Sequence, residues 1–312
     1  MIRNHTVPTL ILGLTIGLLN ACGSPGDPLI LPGPPAEPVT IAAPQPSEPS
    51  PPLEVETRDA LVMSSFGFLY PTDTEAVPAL DIDHRESAAA AFEGEDGCAH
   101  DDFEGLDGEA NVDHQFLRVT ETYESLRIGG IADQIIGSAV KNGSMTVLVT
   151  RDTGAVGVLM GRDAPLTGND GEVLRAGTFR PVEDAAYHAN LGPPTITEQG
   201  LVAGPADVRL KMNIQIVEAD LLIRDAYLWL ETRPDGTVSG VLQGYWDMDG
   251  IIEILASTPA HLAALGYTLE DFQATLDAYA DGAVDEEGRC HALSAAFRIE
   301  AVPAFLTTES TP

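Results

Sequence analysis

The chain has 312 residues, of which 48 are Asp or Glu and 16 are Lys or Arg, for a formal net charge of −32. A field of that sign repels nucleic-acid phosphates and anionic lipid and attracts cations, which argues against a DNA or RNA partner. Apolar residues make up 44% of the chain, enough to build a core and to confine disorder to a minor part of it.

The first residues read as a secretory signal peptide: Arg3 and the amino terminus supply positive charge, and residues 7 to 19 form an apolar run. That run falls short of the ~20 residues a membrane-spanning helix needs, and no other stretch is long and apolar enough. Leu19-Asn20-Ala21-Cys22 resembles the lipobox of bacterial lipoproteins. The resemblance implies a diacylglycerol on the Cys22 thiol, cleavage before Cys22, and a further acyl chain on the freed amine. Gly23 stands where an Asp often marks inner-membrane retention in that family, so the resemblance points to the outer membrane. Each buried CH₂ contributes ~0.8 kcal/mol, so two or three acyl chains hold firmly.

Residues 23 to 57 carry eleven of the 23 prolines, from Pro25 to Pro52. Such a segment buries too little to offset its ordering entropy and stiffens towards an extended form. The expected organisation is a signal peptide over 1–21, lipidated Cys22 with a proline-rich disordered linker over 22–57, one domain over 58–306, and a disordered tail over 307–312.

Within the domain, residues 60–69 read as a first strand. Residues 72–113 follow, rich in Asp, Glu and Gly. Asp113 is placed to cap a helix, with Phe116, Val119, Tyr123 and Leu126 on one face. Gly129-Gly130 interrupts it, and a second helix over Ile131, Ile135, Ile136 and Ala139 ends at Asn142-Gly143. Residues 145–150 and 155–160 predict a hairpin around Arg151-Asp152-Thr153-Gly154, and residues 173–179 a further strand. Residues 180–206 read as loop. Val208, Leu210, Met212, Ile214 and Ile216 alternate with polar residues, which predicts a half-buried strand. Residues 221–232 and 237–245 form a hairpin around Pro234-Asp235-Gly236. Gly240 and Gly244 share a face, which points to a close approach there, a helix among the candidates. Thr258-Pro259 opens a short helix. Thr268-Leu269-Glu270-Asp271 opens another, with Leu269, Phe272, Leu276 and Tyr279 on one face. A last strand presents Leu293, Ala295, Phe297, Ile299 and Ala301 on one side. The sum is a β-rich α+β fold, an antiparallel sheet or sandwich with a few packed helices.

With Cys22 taken by lipid, Cys98 and Cys290 are left. Outside the cytoplasm such a pair is expected to form a disulfide. Closing a loop of roughly 190 residues is worth at most ~5 kcal/mol by chain entropy. A zinc site from Cys98, His100, Cys290 and His291 is the alternative, against the usual ligand spacing.

The best metal candidates are carboxylates of the acidic stretch: Asp81, Asp83, Asp96, Asp101, Asp102, Asp107, Glu109 and Asp113. Calcium takes six to eight oxygens, and carboxylates in a glycine-containing loop suit it, although the EF-hand order is absent. Ser138-Ala139-Val140-Lys141 matches Ser-x-x-Lys without its partner motifs, and no Gly-x-Ser-x-Gly elbow, phosphate loop or His-Glu-x-x-His occurs. Residues 107–115, Asp-Gly-Glu-Ala-Asn-Val-Asp-His-Gln, look like a Gly-Ile-Asp-Asn-Gln type run found before a helix in uncharacterised bacterial lipoproteins. The likeness departs at Val112 and His114 and implies no activity. The expectation is an envelope lipoprotein with a non-catalytic binding or structural domain, calcium-stabilised in one version. The alternatives are a metal-dependent envelope hydrolase and a carrier of an apolar ligand.

Overall fold

The structure is a computed structural model. It describes residues 55–70, 81–82, 98, 100–101, 103–104, 112–127, 129–152, 154–197, 200–214, 217–257, 259–264, 266–286 and 288–309. The folded unit lies within Pro52–Pro312. No helix among the described residues is long and apolar enough to cross a membrane.

The architecture is an α+β fold dominated by one curled, antiparallel, 11-stranded sheet, a half-barrel. In chain order its strands are β1 (Val55–Phe68), β2 (Val147–Asp152), β3 (Ala155–Met160), β4 (Gly177–Phe179), β5 (His188–Asn190), β6 (Thr195–Ile196), β7 (Leu201–Ile214), β8 (Val217–Thr232), β9 (Val238–Asp247), β10 (Gly282–Val284) and β11 (Cys290–Glu309). The helices are α1 (Phe116–Thr122), α2 (Ile131–Asn142), α3 (Met248–Ala256), α4 (Pro259–Ala264) and α5 (Leu269–Tyr279). The sheet order is β5-β3-β2-β1-β11-β9-β8-β7-β6, with β10 and β4 also on β11.

β11 is the spine. It pairs with β1 from Glu309 to Phe297 and with β9 from Ala301 to Ala292. Its far end takes β4 beside Ala304, Phe305 and Leu306, and this pair is parallel, an exception to the antiparallel rule. At the other edge of the sheet, Gly204 of β7 donates its N–H to the carbonyl of Leu191, just after β5, at 3.0 Å. That bond brings the two ends of the curl together.

The concave side holds the main core. Leu293, Ala295, Phe297, Ile299 and Ala301 of β11 all enter it, as their alternation predicts. Phe66 and Phe297 stack with ring centroids 5.0 Å apart, and Phe68, Phe116 and Trp246 pack around them. Val208, Leu210 and Met212 of β7 join from the opposite wall, while Arg209 and Lys211 stay half-exposed. Each such apolar side chain contributes ~1.5–3 kcal/mol of burial free energy. Smaller apolar clusters lie on the other face. One joins Ala60, Val62, Leu148, Val173, Phe179, Ala304 and Leu306; another joins Leu69, Val112, Leu117, Val241 and Ala296.

Several boundaries differ from the sequence reading. β1 starts at Val55, paired with Glu309, so the ladder takes in residues assigned above to the linker and to the tail. Two partner strands of this length extend each other by backbone pairing, which proline content does not report. Residues 180–206 are not loop throughout: they hold β5, β6 and the first rungs of β7. The strand expected over 173–179 is split: Val173 forms a single antiparallel bridge with Thr167, and only residues 177–179 make a strand. The close approach at Gly240 and Gly244 is made by the neighbouring strand and not by a helix. A Cβ on Gly240 would come within 2.0 Å of the Trp229 carbonyl oxygen, and one on Gly244 within 2.6 Å of that of Arg224. Thr268 does cap α5, accepting from Asp271 N at 3.1 Å while its hydroxyl donates to the Asp271 carboxylate at 2.6 Å. Thr258 lies outside the described residues.

Candidate functional site

The densest group of buried polar side chains is the tripeptide Asp113-His114-Gln115 with Gln243 and Ser294. It sits where the stretch leading into α1 crosses β11 and β9 on the outer face. A buried polar group left without a partner costs ~1–3 kcal/mol, so each of these needs one. Each has one, and most come from distant parts of the chain.

Asp113 does not cap α1. The helix begins after Gln115, which makes no side-chain cap. The Asp113 carboxylate instead accepts from Ile82 N at 2.7 Å, and its carbonyl accepts from Gln243 Nε2 at 2.8 Å. Gln115 donates its backbone N–H to Ser294 Oγ at 2.8 Å and its side-chain amide to the carbonyl of Asp101 at 2.9 Å. Ser294 N in turn donates to Asp281 Oδ1 at 2.7 Å. His114 is fully enclosed. Its Nε2 lies 3.0 Å from the Leu69 carbonyl, and its Nδ1 accepts from Ala296 N at 3.3 Å. One donor and one acceptor suit the neutral imidazole with its hydrogen on Nε2. Burial pushes its pKa down to about 4, against the pull of backbone hydrogen bonds at Leu69 and Ser294.

Around this group the 98–115 stretch is fastened at further points. Cys98 and Cys290 face each other as a pair, with their Cα atoms 6.0 Å apart. His100 Nε2 meets the Ala280 carbonyl at 3.1 Å. Phe103 and Val112 form a two-bond bridge, and the Arg118 guanidinium lies 4.4 Å above the Phe103 ring. Among the described residues Cys98, His100, Cys290 and His291 form no group placed to hold a metal ion, and His291 turns to Asp285 at 2.7 Å.

Of the carboxylates expected to hold calcium, Asp83, Asp96, Asp102, Asp107 and Glu109 lie outside the described residues, as does Cys22. Asp81, Asp101 and Asp113 are described. Asp113 faces Ile82, and Asp101 contributes its carbonyl to Gln115. Among the described residues no group of three or more His, Cys, Asp or Glu stands where it would hold a metal ion.

The remaining sequence candidates have structural surroundings. Ser138 donates to the Ile135 carbonyl on the exposed side of α2. His188 meets the Val182 carbonyl at 2.7 Å. Trp246 packs in the aromatic core, and Trp229 lies half-buried against the outer cluster. Many basic residues are paired within the chain, among them Arg224 with Asp247 at 2.5 Å and Arg180 with Asp163 at 2.5 Å. Hydrogen bonds from Thr237 and Arg175 hold the Asp235 carboxyl well below the usual carboxylate range and set the turn between β8 and β9. Tyr70, at the end of β1, donates to the Leu126 carbonyl; burial, then Asp133, pushes its phenol above the ordinary value.

Nothing in the sequence analysis assigns a site role to His114, Gln243 or Ser294. The available signal was polar residues inside otherwise apolar strands: Val-Leu-Gln-Gly-Tyr-Trp at 241–246 and Ala-Leu-Ser-Ala-Ala-Phe at 292–297. Comparison with family models, with curated proteins and with solved structures finds no match for the chain.

Proposed function

We propose that the chain is a lipid-anchored envelope protein whose folded part binds or braces and does not catalyse. One observation carries the non-catalytic half of this reading. The buried polar side chains of the candidate site, Asp113, His114, Gln115, Gln243 and Ser294, are engaged with backbone groups or with one another. A nucleophile–base pair needs its lone pairs aimed at a reacting atom; here they are aimed at peptide groups. The concave side of the sheet is filled by Phe66, Phe68, Phe116, Trp246 and Phe297, which disfavours the carrier reading.

The anchoring half rests on Leu19-Asn20-Ala21-Cys22 and the proline-rich stretch behind it. The two remaining cysteines, Cys98 and Cys290, lie side by side, a placement that suits an oxidising compartment. The test is phase partition of the full chain made in a bacterial host, with intact-mass analysis of the mature protein. The expected result is a mature chain starting at Cys22, heavier by acyl groups, that enters the detergent phase, while Cys22→Ser stays in the aqueous phase. A mature chain with a bare Cys22 thiol and no detergent affinity would overturn the reading.

A further inference from the structure

Residues 165–175 form a hairpin between β3 and β4. Thr167 and Val173 face each other in an antiparallel bridge, and Leu174 N donates to the Leu166 carbonyl at 2.8 Å. That register sets Leu166 opposite Leu174 on one face, with Val173 on the other. The turn at Asn169-Asp170-Gly171 closes it, with Asp170 Oδ1 accepting from Glu172 N at 3.1 Å. The two faces have opposite surroundings. Pro165 and Val173 are buried, Val173 in the cluster of Ala60, Ala304 and Leu306. Leu166 is 73% exposed and Leu174 48%. The hairpin is held in this pose, because Lys141 pairs with Glu172 at 2.8 Å and Arg175 with Asp235 at 2.6 Å. Among the described residues the other strongly exposed large apolar side chains are Ile131, Ile196, Val284 and Phe305, on four separate elements. Singly exposed apolar residues are ordinary on a protein surface; two placed side by side are less so.

The hairpin also has a particular place in the fold. β1 begins at Val55, paired with Glu309, and the hairpin lies over its first rungs: Ala60, five residues on, shares the Val173 cluster, and Ala176 N donates to the Pro303 carbonyl at 2.6 Å. Five residues of strand span ~17 Å. Residues 23–54, 32 in number, separate Cys22 from Val55, and a chain of that length reaches at most ~110 Å. The charge around the hairpin is balanced although the chain as a whole carries −32. Lys141, Arg162, Arg175 and Arg180 gather there and pair with Glu172, Glu183, Asp235 and Asp163. This part of the surface therefore repels a headgroup layer little.

We propose that Leu166 and Leu174 are a membrane-docking pair: they enter the boundary between headgroups and acyl chains of the bilayer that holds Cys22, and so fix which part of the sheet faces the lipid. The docking rests on the acylated Cys22 proposed above. Interfacial elements bury their apolar face by only ~5–10 Å, a depth that suits side chains on the outer face of a hairpin. Anchoring makes the contact intramolecular, so a patch too small to hold a free protein is enough to orient a tethered one. A second copy of the chain fits less well, because two leucines supply only a small part of the ~800 Å² per partner that a stable protein interface takes.

The test uses the full chain made in a bacterial host, checked for acyl groups by intact mass and reconstituted into phosphatidylcholine vesicles that contain nitroxide-labelled lipid. A polarity-sensitive dye is attached through Asn169→Cys at the hairpin tip. In a second preparation it is attached through Asp277→Cys on α5, which leads to Asp281 beside Ala292 at the opposite end of β11. The expected result is quenching several-fold stronger at position 169 than at 277. Leu166→Ser with Leu174→Ser should lower the first to the level of the second while the chain stays on the vesicles. The docking is overturned if the two dyes are quenched alike, or if the double substitution changes nothing. It is also overturned if the dye at 169 is already shielded in detergent by a concentration-dependent dimer, which would assign the patch to a second copy. An acylated chain with an unquenched dye overturns the docking alone; a chain without acyl groups overturns the anchor and the docking together. Both leucines are exposed, so the double variant should keep its circular dichroism; if it unfolds, the contrast between the two dyes decides.

Discussion

Over residues 292–297 both faces of β11 are buried, by different chemistry. On the concave side Leu293, Phe297 and Ile299 meet apolar partners from β1, β7, β8 and β9. On the outer side Ser294 and Ala296 meet Gln115 and His114. The first surface is non-directional: any apolar neighbour of about the right volume contributes. The second is directional, because each polar atom needs one partner at one angle. The lesson is that a polar side chain such as Ser294 can stand in a stretch dry on both sides, when hydrogen bonds and the apolar cluster around Ala296 close the outer side together.

The largest effect that tests this contrast is on the concave side. Phe297→Ala removes a ring stacked on Phe66 and touching Phe68 and Trp246. It should cost ~4 kcal/mol in urea denaturation, by lost transfer energy plus the cavity left behind, and the loss should be the same at pH 5 and pH 8. A loss under ~1 kcal/mol would mean that the aromatic cluster is not the centre of the core.

The outer side should respond to pH. The His114 pKa is lowered in the fold from 6.5 to about 4, so the unfolded chain binds the proton more tightly. Stability from the neutral ring is therefore complete above pH 6.5 and is lost as pH falls towards 4, by up to ~3 kcal/mol. The measurement is the difference in unfolding free energy between the unaltered chain and His114→Gln across that window. The difference removes the general effect of neutralising 48 carboxylates. A flat difference would assign the buried ring an ordinary pKa.

The smallest effect sharpens the directional claim. Gln243→Leu keeps the volume of a fully buried side chain but withdraws the donor from the Asp113 carbonyl. We expect ~1–2 kcal/mol of destabilisation, and faster hydrogen exchange at Gln115. A stabilised variant would show that the outer surface behaves as a simple apolar contact.

Much of the sheet was legible without coordinates. The hairpin around residues 151–154, the turn at Pro234-Asp235-Gly236, the strand through Val208 and the final strand all follow from period-two alternation and turn residues. The Thr268 cap was equally local. The errors share a cause. Asp113 has the composition of a helix cap, and its carboxylate was claimed by Ile82 instead. Val55 was assigned to the linker by proline content and was claimed by Glu309. Gly240 and Gly244 call for a close approach and leave the neighbour open, a helix among the candidates; strand order makes it β8.

Sequence alone determined the acidic balance, the candidate leader and lipobox, the positions of most strands and helices, and the inner face of β11. Each of these rests on neighbours a few residues apart. Only the tertiary structure decided that β11 would be the spine and that Asp113, His114 and Gln115 would become a buried joint. Those outcomes depend on partners such as Ser294 and Ala296, 179 and 182 residues further along. Hydrogen bonds over that separation leave no periodic trace in the chain; they exist only once the sheet has curled and brought their ends together.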